Sequence, residues 1–371
     1  MISVFGSDLG EEEIAAVAEC MRSQWIGFGK KVEAFESEFS ARLGLTSFAM
    51  VDSGSNALFM AVKLLDLPPG AEVILPSFTW VSCAQAIRMA GLTPVFCDVD
   101  LVTMNVRRED IERLITARTG AVMVVHYAGL PVDLDPILDL GLPVIEDAAH
   151  AVDGLYRGKP CGSLGRVGIF SFDAVKNLTT GEGGGITVND GILLARIKKL
   201  RYCGIGRSGF EAAAHQAKPG RWWEYDIEEP FIKMLPTNIA AAIGLVQLRR
   251  LTALQERRRE IWEAYRQAFR EIPEIKQPVD AAAGDRHGLF TYCIRVPQRD
   301  ELARFLLAEG VYTTLRYHPL HLNPIYLQTH HRLPNCERLN QEALSIPLHP
   351  RLTDSEISKI CLLIRQFHGR S

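Results

Sequence analysis

The chain predicts an α/β protein. A large domain carries a mostly parallel sheet between helices, and a smaller C-terminal α+β domain follows it. Two observations predict this. Through the first half, short apolar runs alternate with segments of helical spacing, a βαβα rhythm that places helices on both faces of a parallel sheet. After Gly185 that rhythm breaks, and 371 residues are long enough for a second domain. The division is placed at 1–255 and 256–371, with a linker-like stretch at 273–285.

The elements follow in order. Residues 11–23 and 31–43 have helical spacing. Residues 48–51 form a strand that stops at Asp52-Ser53-Gly54-Ser55, and 56–65 follow as an apolar helix. A strand at 72–75 ends at Pro76, 82–90 are helical, and a strand at 94–97 ends at Asp98. The runs 121–125 and 143–145 repeat the theme, and 167–172 is a buried strand leading into a glycine-rich loop that 186–188 leaves. Residues 192–201 read as a helix and 203–230 as irregular chain. A long apolar helix at 237–255 continues through 256–271. The last domain holds a strand at 291–296, a strand near 312–317, and helices at 300–309 and 354–367.

Hydrophobic residues make up 47% and charged residues 23%, ordinary for a globular chain. A net charge of −3 gives no overall attraction to nucleic acid or an anionic membrane. The local runs Arg249-Arg250 and Arg257-Arg258-Arg259 sit among Glu256 and Glu260 and read as a solvated helix face. The eight cysteines are far apart and form no CxxC pair, so they read as reduced packing residues with no metal site. The start of the chain lacks the basic and apolar stretches of a signal peptide, and no run approaches the ~18 apolar residues of a membrane span. A cytoplasmic protein is expected.

The chemistry is carried by Lys176. It follows Phe170-Ser171-Phe172-Asp173-Ala174-Val175 and precedes Asn177-Leu178-Thr179-Thr180-Gly181-Glu182-Gly183-Gly184. A lysine held where strands meet a tight turn is partly desolvated. That lowers its pKa and makes its amine a nucleophile toward a carbonyl, as a Schiff-base lysine requires. Taken alone, a solvated lysine is the commoner case. Four further segments change that balance. In Asp52-Ser53-Gly54-Ser55-Asn56, a strand-to-helix turn offers free amides and the Ser55 hydroxyl to a phosphate, although plain helix capping explains the same residues. Trp80, in Pro76-Ser77-Phe78-Thr79-Trp80, follows a strand's carboxyl end and suits stacking on a planar ring, or simply the core. In Val144-Ile145-Glu146-Asp147-Ala148-Ala149-His150, a strand-end acid suits a protonated ring nitrogen, or caps a helix. Ser171 suits a phosphate or a backbone bond. All fall near the carboxyl ends of parallel strands, where open α/β sheets place ligands.

With these motifs the chain resembles the sugar aminotransferases that act on nucleotide-linked keto-sugars, a branch of the fold-type I pyridoxal phosphate enzymes. The resemblance covers about residues 10–365. It rests on Trp25-Ile26-Gly27-Phe28-Gly29, Phe35-Glu36, Ser53-Gly54-Ser55-Asn56-Ala57-Leu58, the Trp80, Asp147 and Lys176 segments, the run from Ala240 to Leu248, and Tyr317-His318-Pro319-Leu320-His321. It implies a seven-stranded sheet, pyridoxal 5'-phosphate as cofactor, and a homodimer with active sites at the subunit interface. Carried over by position, Lys176 would bind the cofactor as a Schiff base and move protons, and Asp147 would pair with the ring nitrogen. Trp80 would stack on the ring, His150 would contact the ring hydroxyl, and Ser55, the Asn56 amide and Ser171 would hold the phosphate. Lys233 lies where the family has a partner-subunit phosphate contact and supplies a charge there; a surface lysine is the other reading. The substrates implied are glutamate and a nucleotide-linked keto-sugar, for amino-sugar biosynthesis in surface polysaccharides or secondary metabolites. His318 and His321 either reach the substrate or pack, and packing is the commoner case for such a pair.

Three rival readings share parts of the pattern. A sugar dehydratase of the same fold has histidine in place of the lysine. A regulatory member would have kept the fold and lost the chemistry. A nicotinamide-dependent oxidoreductase would carry a glycine fingerprint near its first strand, and none is there.

Overall fold

The computed structural model describes residues 1–206, 223–329 and 332–369. Helices α1 (Glu11–Arg22) and α2 (Lys30–Leu43) open the chain. Strand β1 (Ala49–Val51) leads into α3 (Gly54–Lys63), β2 (Glu72–Pro76) into α4 (Val81–Met89), and β3 (Thr93–Cys97) into α5 (Arg108–Glu112). Then come β4 (Thr119–Val125), α6 (Asp135–Leu138) and β5 (Val144–Asp147). A small hairpin of β6 (Leu155–Tyr156) and β7 (Lys159–Pro160) precedes β8 (Val167–Ser171) and β9 (Gly184–Thr187). Helix α7 (Gly191–Leu200) follows, then the long α8 (Asn238–Phe269).

Seven strands make one sheet in the order β1-β9-β8-β5-β4-β2-β3. The pairings from β3 through β8 are parallel, and β9 runs antiparallel to both β8 and β1. The architecture expected from the βαβα rhythm is therefore present, with one reversed strand. Strand β8 shows why the sheet needs cover on both faces. Ile169 packs into one core, while Phe170, with Phe172 just past the strand, packs into another that holds Phe35, Phe39 and Phe48. The ends of β1, β2, β5 and β8 lie along one edge of the sheet, so the loops that leave them share one space.

Helix α8 joins two cores. Ala241, Leu245, Leu248 and Leu251 pack with α2 and the sheet's aromatic face. Ile261, Trp262, Tyr265 and Phe269 pack with the last part of the chain. The division expected between residues 255 and 256 falls inside this unbroken helix. The C-terminal part holds β10 (Tyr292–Arg295), α9 (Arg299–Ala308), α10 (Pro334–Glu342), β11 (Ala343–Ile346) and α11 (Asp354–His368). Thr353 caps α11 through a reciprocal pair with Glu356.

Three expectations need correction. Residues 312–317 do not form a strand: among them Thr314 makes a single bridge, to Ser345, and Val311 just before them makes another, to Ile2. The partner of β10 is instead β11, which pairs with it antiparallel and which the sequence reading passed over together with α10. Thr314, Leu315, Arg316 and Tyr317 line a cavity instead of continuing the pairing. Finally, Arg258 is not on a solvated face; it is buried and donates to the Leu289, Phe290 and Leu348 carbonyls. Of the run expected to be irregular at 203–230, residues 207–222 lie outside the described residues.

Candidate active site

A cavity of about 360 Å³ opens at the carboxyl edge of the sheet. Lys176, Asp147, His150, Ser171, Ser55 and Trp80 all line it. The sequence reading scattered these residues over more than a hundred positions, and the parallel strands bring them together. Asn56 and Lys233 do not line it.

Asp147 ends β5 and is buried. Its Oδ1 accepts from the Ala149 amide at 2.9 Å, and its Oδ2 accepts from the Cys83 thiol at 3.2 Å. Burial pushes its carboxyl up, and it makes no ion pair among the described residues. A buried acid with this much desolvation gains from a cation placed beside it.

Lys176 lies in the turn after β8, held by its own amide to the Asp173 carbonyl at 3.0 Å. Its Nζ sits 4.6 Å from the centre of the Phe290 ring. The residue is partly exposed, yet its amine is closely surrounded. Burial first, and the Arg316 charge second, bring its pKa down to about 8. No hydrogen bond to the amine occurs among the described residues, so it is available to a carbonyl.

His150 stacks on Phe290 with ring centres 4.1 Å apart and planes 12° from parallel. Its Nε2 meets the Tyr317 hydroxyl at 3.0 Å, and its buried Nδ1 has no partner. Burial, with Lys176 and Arg316 nearby, holds the imidazole well below its usual pKa, so it is neutral. Trp80 is the exposed N-cap of α4, its ring 5.4 Å from that of Tyr317.

The start of α3 forms another wall. Ser53 caps the helix and accepts from the Asn56 amide at 3.2 Å, so that amide is already engaged; the Asn56 side chain donates to Asp52 at 2.8 Å. Ser53, Gly54 and Ser55 line the cavity. A β-carbon on Gly54 would stand 2.7 Å from the Ser171 β-carbon, so only glycine lets the helix start approach the end of β8 this closely. The Ser55 hydroxyl meets Ser82 at 2.7 Å. Two hydroxyls and first-turn amides thus converge where a helix N-terminus favours an anion.

His321 is buried away from the cavity against Ser77, its Nδ1 2.6 Å from the hydroxyl. His318 is exposed and meets Asn340 at 2.9 Å. Both pack. The sequence reading missed Arg316, Tyr317, Phe290, Phe5 and Cys83. Arg316 adjoins, and Tyr317 opens, the segment whose two histidines are its more conspicuous side chains. Phe290 and Phe5 carry no local signal beyond being aromatic.

The residues present suit pyridoxal phosphate. An unpaired buried acid answers a protonated ring nitrogen, an unpartnered lysine amine answers an aldehyde, an orphan imidazole nitrogen answers a polar ring substituent, and the cradle at Gly54 answers a phosphate.

The chain is similar to known proteins along nearly its full length. A dTDP-4-dehydro-2,3,6-trideoxy-D-glucose 4-aminotransferase from Saccharopolyspora spinosa is 39% identical, covering 97% of this chain and 95% of that protein. The spore coat polysaccharide biosynthesis protein SpsC of Bacillus subtilis is 36% identical, covering 96% of this chain and 94% of its own. The crystal structure of the aminotransferase TlmJ from Streptoalloteichus hindustanus is 39% identical, with a TM-score of 0.91 over 99% of this chain and 98% of that one. The model of the DegT/DnrJ/EryC1/StrS aminotransferase family, whose enzymes use pyridoxal phosphate, matches residues 7–365. The chain belongs to the DegT/DnrJ/EryC1/StrS aminotransferase family.

Proposed function

We propose that this aminotransferase moves an amino group from glutamate to a keto-sugar carried on a nucleoside diphosphate, in amino-sugar biosynthesis. The observation that carries the reading is a lysine amine, partly neutral near pH 8, sharing one cavity with an unpaired buried aspartate. The names of the relatives support a nucleotide-linked sugar as acceptor.

Bound pyridoxal phosphate supplies an electron sink for the carbon that loses its proton. Lys176 would hold the cofactor and, once freed, accept that proton at Nζ and return it to the next carbon. An amine with a pKa near the working pH is suited to both directions. Asp147, as an anion, would keep the ring nitrogen protonated. His150 would give its free Nδ1 to a ring substituent, Trp80 would lie on the ring, and Ser55, Ser171 and the first amides of α3 would hold the phosphate.

A homodimer fits the surface. Trp25 is 66% exposed, Ile26 51% and Ile232 50%, and the Trp25 and Ile26 carbonyls accept from Asn238, close behind Ile232 in the chain. A second copy would cover these residues. Lys233 is exposed and does not line the Lys176 cavity; a partner's phosphate is the contact it would make.

The purified protein, loaded with pyridoxal phosphate, should lose the visible absorbance of the bound cofactor when glutamate is added. A keto-sugar nucleotide should restore it. Lys176→Ala should abolish the cycle, with a loss of at least about a thousandfold. A Lys176→Ala protein that still cycles would sink the proposal.

A further inference from the structure

Cys83 lies behind the cavity, not in it. It sits in the first turn of α4 and is fully buried, and it does not line the space that Lys176 and Asp147 share. Its thiol donates to the Asp147 Oδ2 at 3.2 Å. On its other side the Thr79 hydroxyl stands 3.3 Å from the sulfur. A thiol has one hydrogen, so with that hydrogen on Asp147 the Thr79 hydroxyl donates to the sulfur. The result is a directed chain from Thr79 through Cys83 to Asp147, in which one donation strengthens the next.

Asp147 needs such a donor. Its carboxyl is buried, and burial favours the protonated form. Beside a ring nitrogen the acid is useful only as an anion, because a neutral acid holds the proton that the ring needs to draw electrons. Burial is opposed first by the Ala149 amide on Oδ1, at 2.9 Å, and next by the Cys83 thiol on Oδ2. The Lys176 charge acts in the same direction with less weight. Each carboxylate oxygen thus has one donor behind it. The amide belongs to the backbone, so the thiol is the donor that a substitution can remove. A packing role would need only the volume of the sulfur, whereas this one needs its hydrogen.

We propose that Cys83 is a positioning residue for amino transfer: its S–H, turned by Thr79, holds Asp147 as an anion on the cavity wall and so keeps a proton on the cofactor's ring nitrogen. This rests on the transamination reading above. Cys83 touches neither cofactor nor substrate and acts through Asp147.

The test compares cofactor-loaded wild type with Cys83→Ala, which removes the donor, and Cys83→Ser, which keeps one. With pyridoxal phosphate isotope-labelled at its ring nitrogen, the magnetic-resonance shift of that nitrogen reports its protonation. Wild type and Cys83→Ser should give the protonated value, and Cys83→Ala a value moved towards neutral pyridine. The single-turnover rate with glutamate should fall about tenfold in Cys83→Ala and stay within about threefold of wild type in Cys83→Ser, with the half-saturating glutamate concentration within about twofold in both. The bond itself is read in the cofactor-free protein. The infrared S–H band that disappears in Cys83→Ser should move to higher frequency in Asp147→Asn, whose neutral amide is a weaker acceptor. That comparison stands even where Cys83→Ala does not fold. The inference is overturned if Asp147→Asn leaves the band in place, if the ring nitrogen of Cys83→Ala stays as protonated as in wild type, or if Cys83→Ser loses as much rate as Cys83→Ala. A band that moves and a ring proton that follows Cys83, in a protein whose cofactor absorbance no amino acid changes, would overturn the transamination reading while upholding the hold of Cys83 on Asp147.

Discussion

The two walls of the cavity are built in different ways. One comes from the carboxyl edge of the sheet: Asp147 at the end of β5, Ser171 at the end of β8, Lys176 just beyond, and Gly54 and Ser55 at the start of α3. Asp147 and Ser171 are set by strands paired within the sheet, and Gly54 and Ser55 by the capped start of a helix. The other wall is Phe5, Arg316 and Tyr317, backed by the buried Phe290, carried on irregular chain and held mostly by ring contacts. The first wall places groups that suit a cofactor with fixed atoms. The second places groups that suit a substrate that enters and leaves. A sheet edge is rigid and gives precise positions, whereas loop segments vary without disturbing the core.

Four measurements press on that contrast. Asp147→Asn removes the anion from the rigid wall. The single-turnover rate with glutamate should fall on the order of a hundredfold, with the protein still folded. An unchanged rate would mean that the sheet-edge wall does not govern the chemistry.

Gly54→Ala puts a β-carbon 2.7 Å from that of Ser171. The strain should cost about 1–3 kcal/mol, seen as a lower thermal midpoint and weaker cofactor binding by equilibrium dialysis. Tolerance of alanine would show that the α3 wall gives more than its packing suggests.

The next measurement is of pH. The Lys176 pKa is lowered to about 8, first by burial and then by Arg316, so the neutral amine dominates above that pH and is lost below it. Capture of pyridoxal phosphate by the cofactor-free protein should slow by about tenfold for each pH unit below 8 and level off above it. Arg316→Gln, by removing a positive neighbour, should move this midpoint upward. The same shift makes the unfolded chain bind more protons than the native one between about 8 and the ordinary lysine value of 10.5, so this group adds stability as pH rises through that window.

The smallest effect is expected at His318, which is exposed and, among the described residues, has its hydrogen bond with Asn340. His318→Ala should leave turnover within about twofold and stability within about 0.5 kcal/mol by thermal melt. A large loss would mean that a substrate reaches further along the second wall than the cavity does.

Legibility in the sequence divides along the same line. Asp147, Ser171 and Lys176 stood out because an apolar run ending in a polar residue is a local pattern, and parallel strands send such ends to one edge. The strand expected at 312–317 shows the opposite case. Its composition fits a strand, yet Arg316 and Tyr317 line the cavity, Arg316 against Phe5 and Phe290 and Tyr317 against Trp80 and His150, all distant in sequence. Arg258 failed for a related reason: in sequence it sits among arginines and glutamates on a helix, and only the fold covers it with three carbonyls.

By itself, then, the sequence determined the α/β class, the parallel order of apolar runs, the lysine and aspartate of the rigid wall, and the resemblance to sugar aminotransferases. These depend on local periodicity and on residues a few positions apart. The tertiary structure alone decided the reversed strand β9, the close approach at Gly54, the stacking of His150 on Phe290, and the placing of Arg316 in the cavity of Lys176. Apart from the pairing of β9 with β8, those depend on contacts across more than a hundred residues, whose energies no local pattern records.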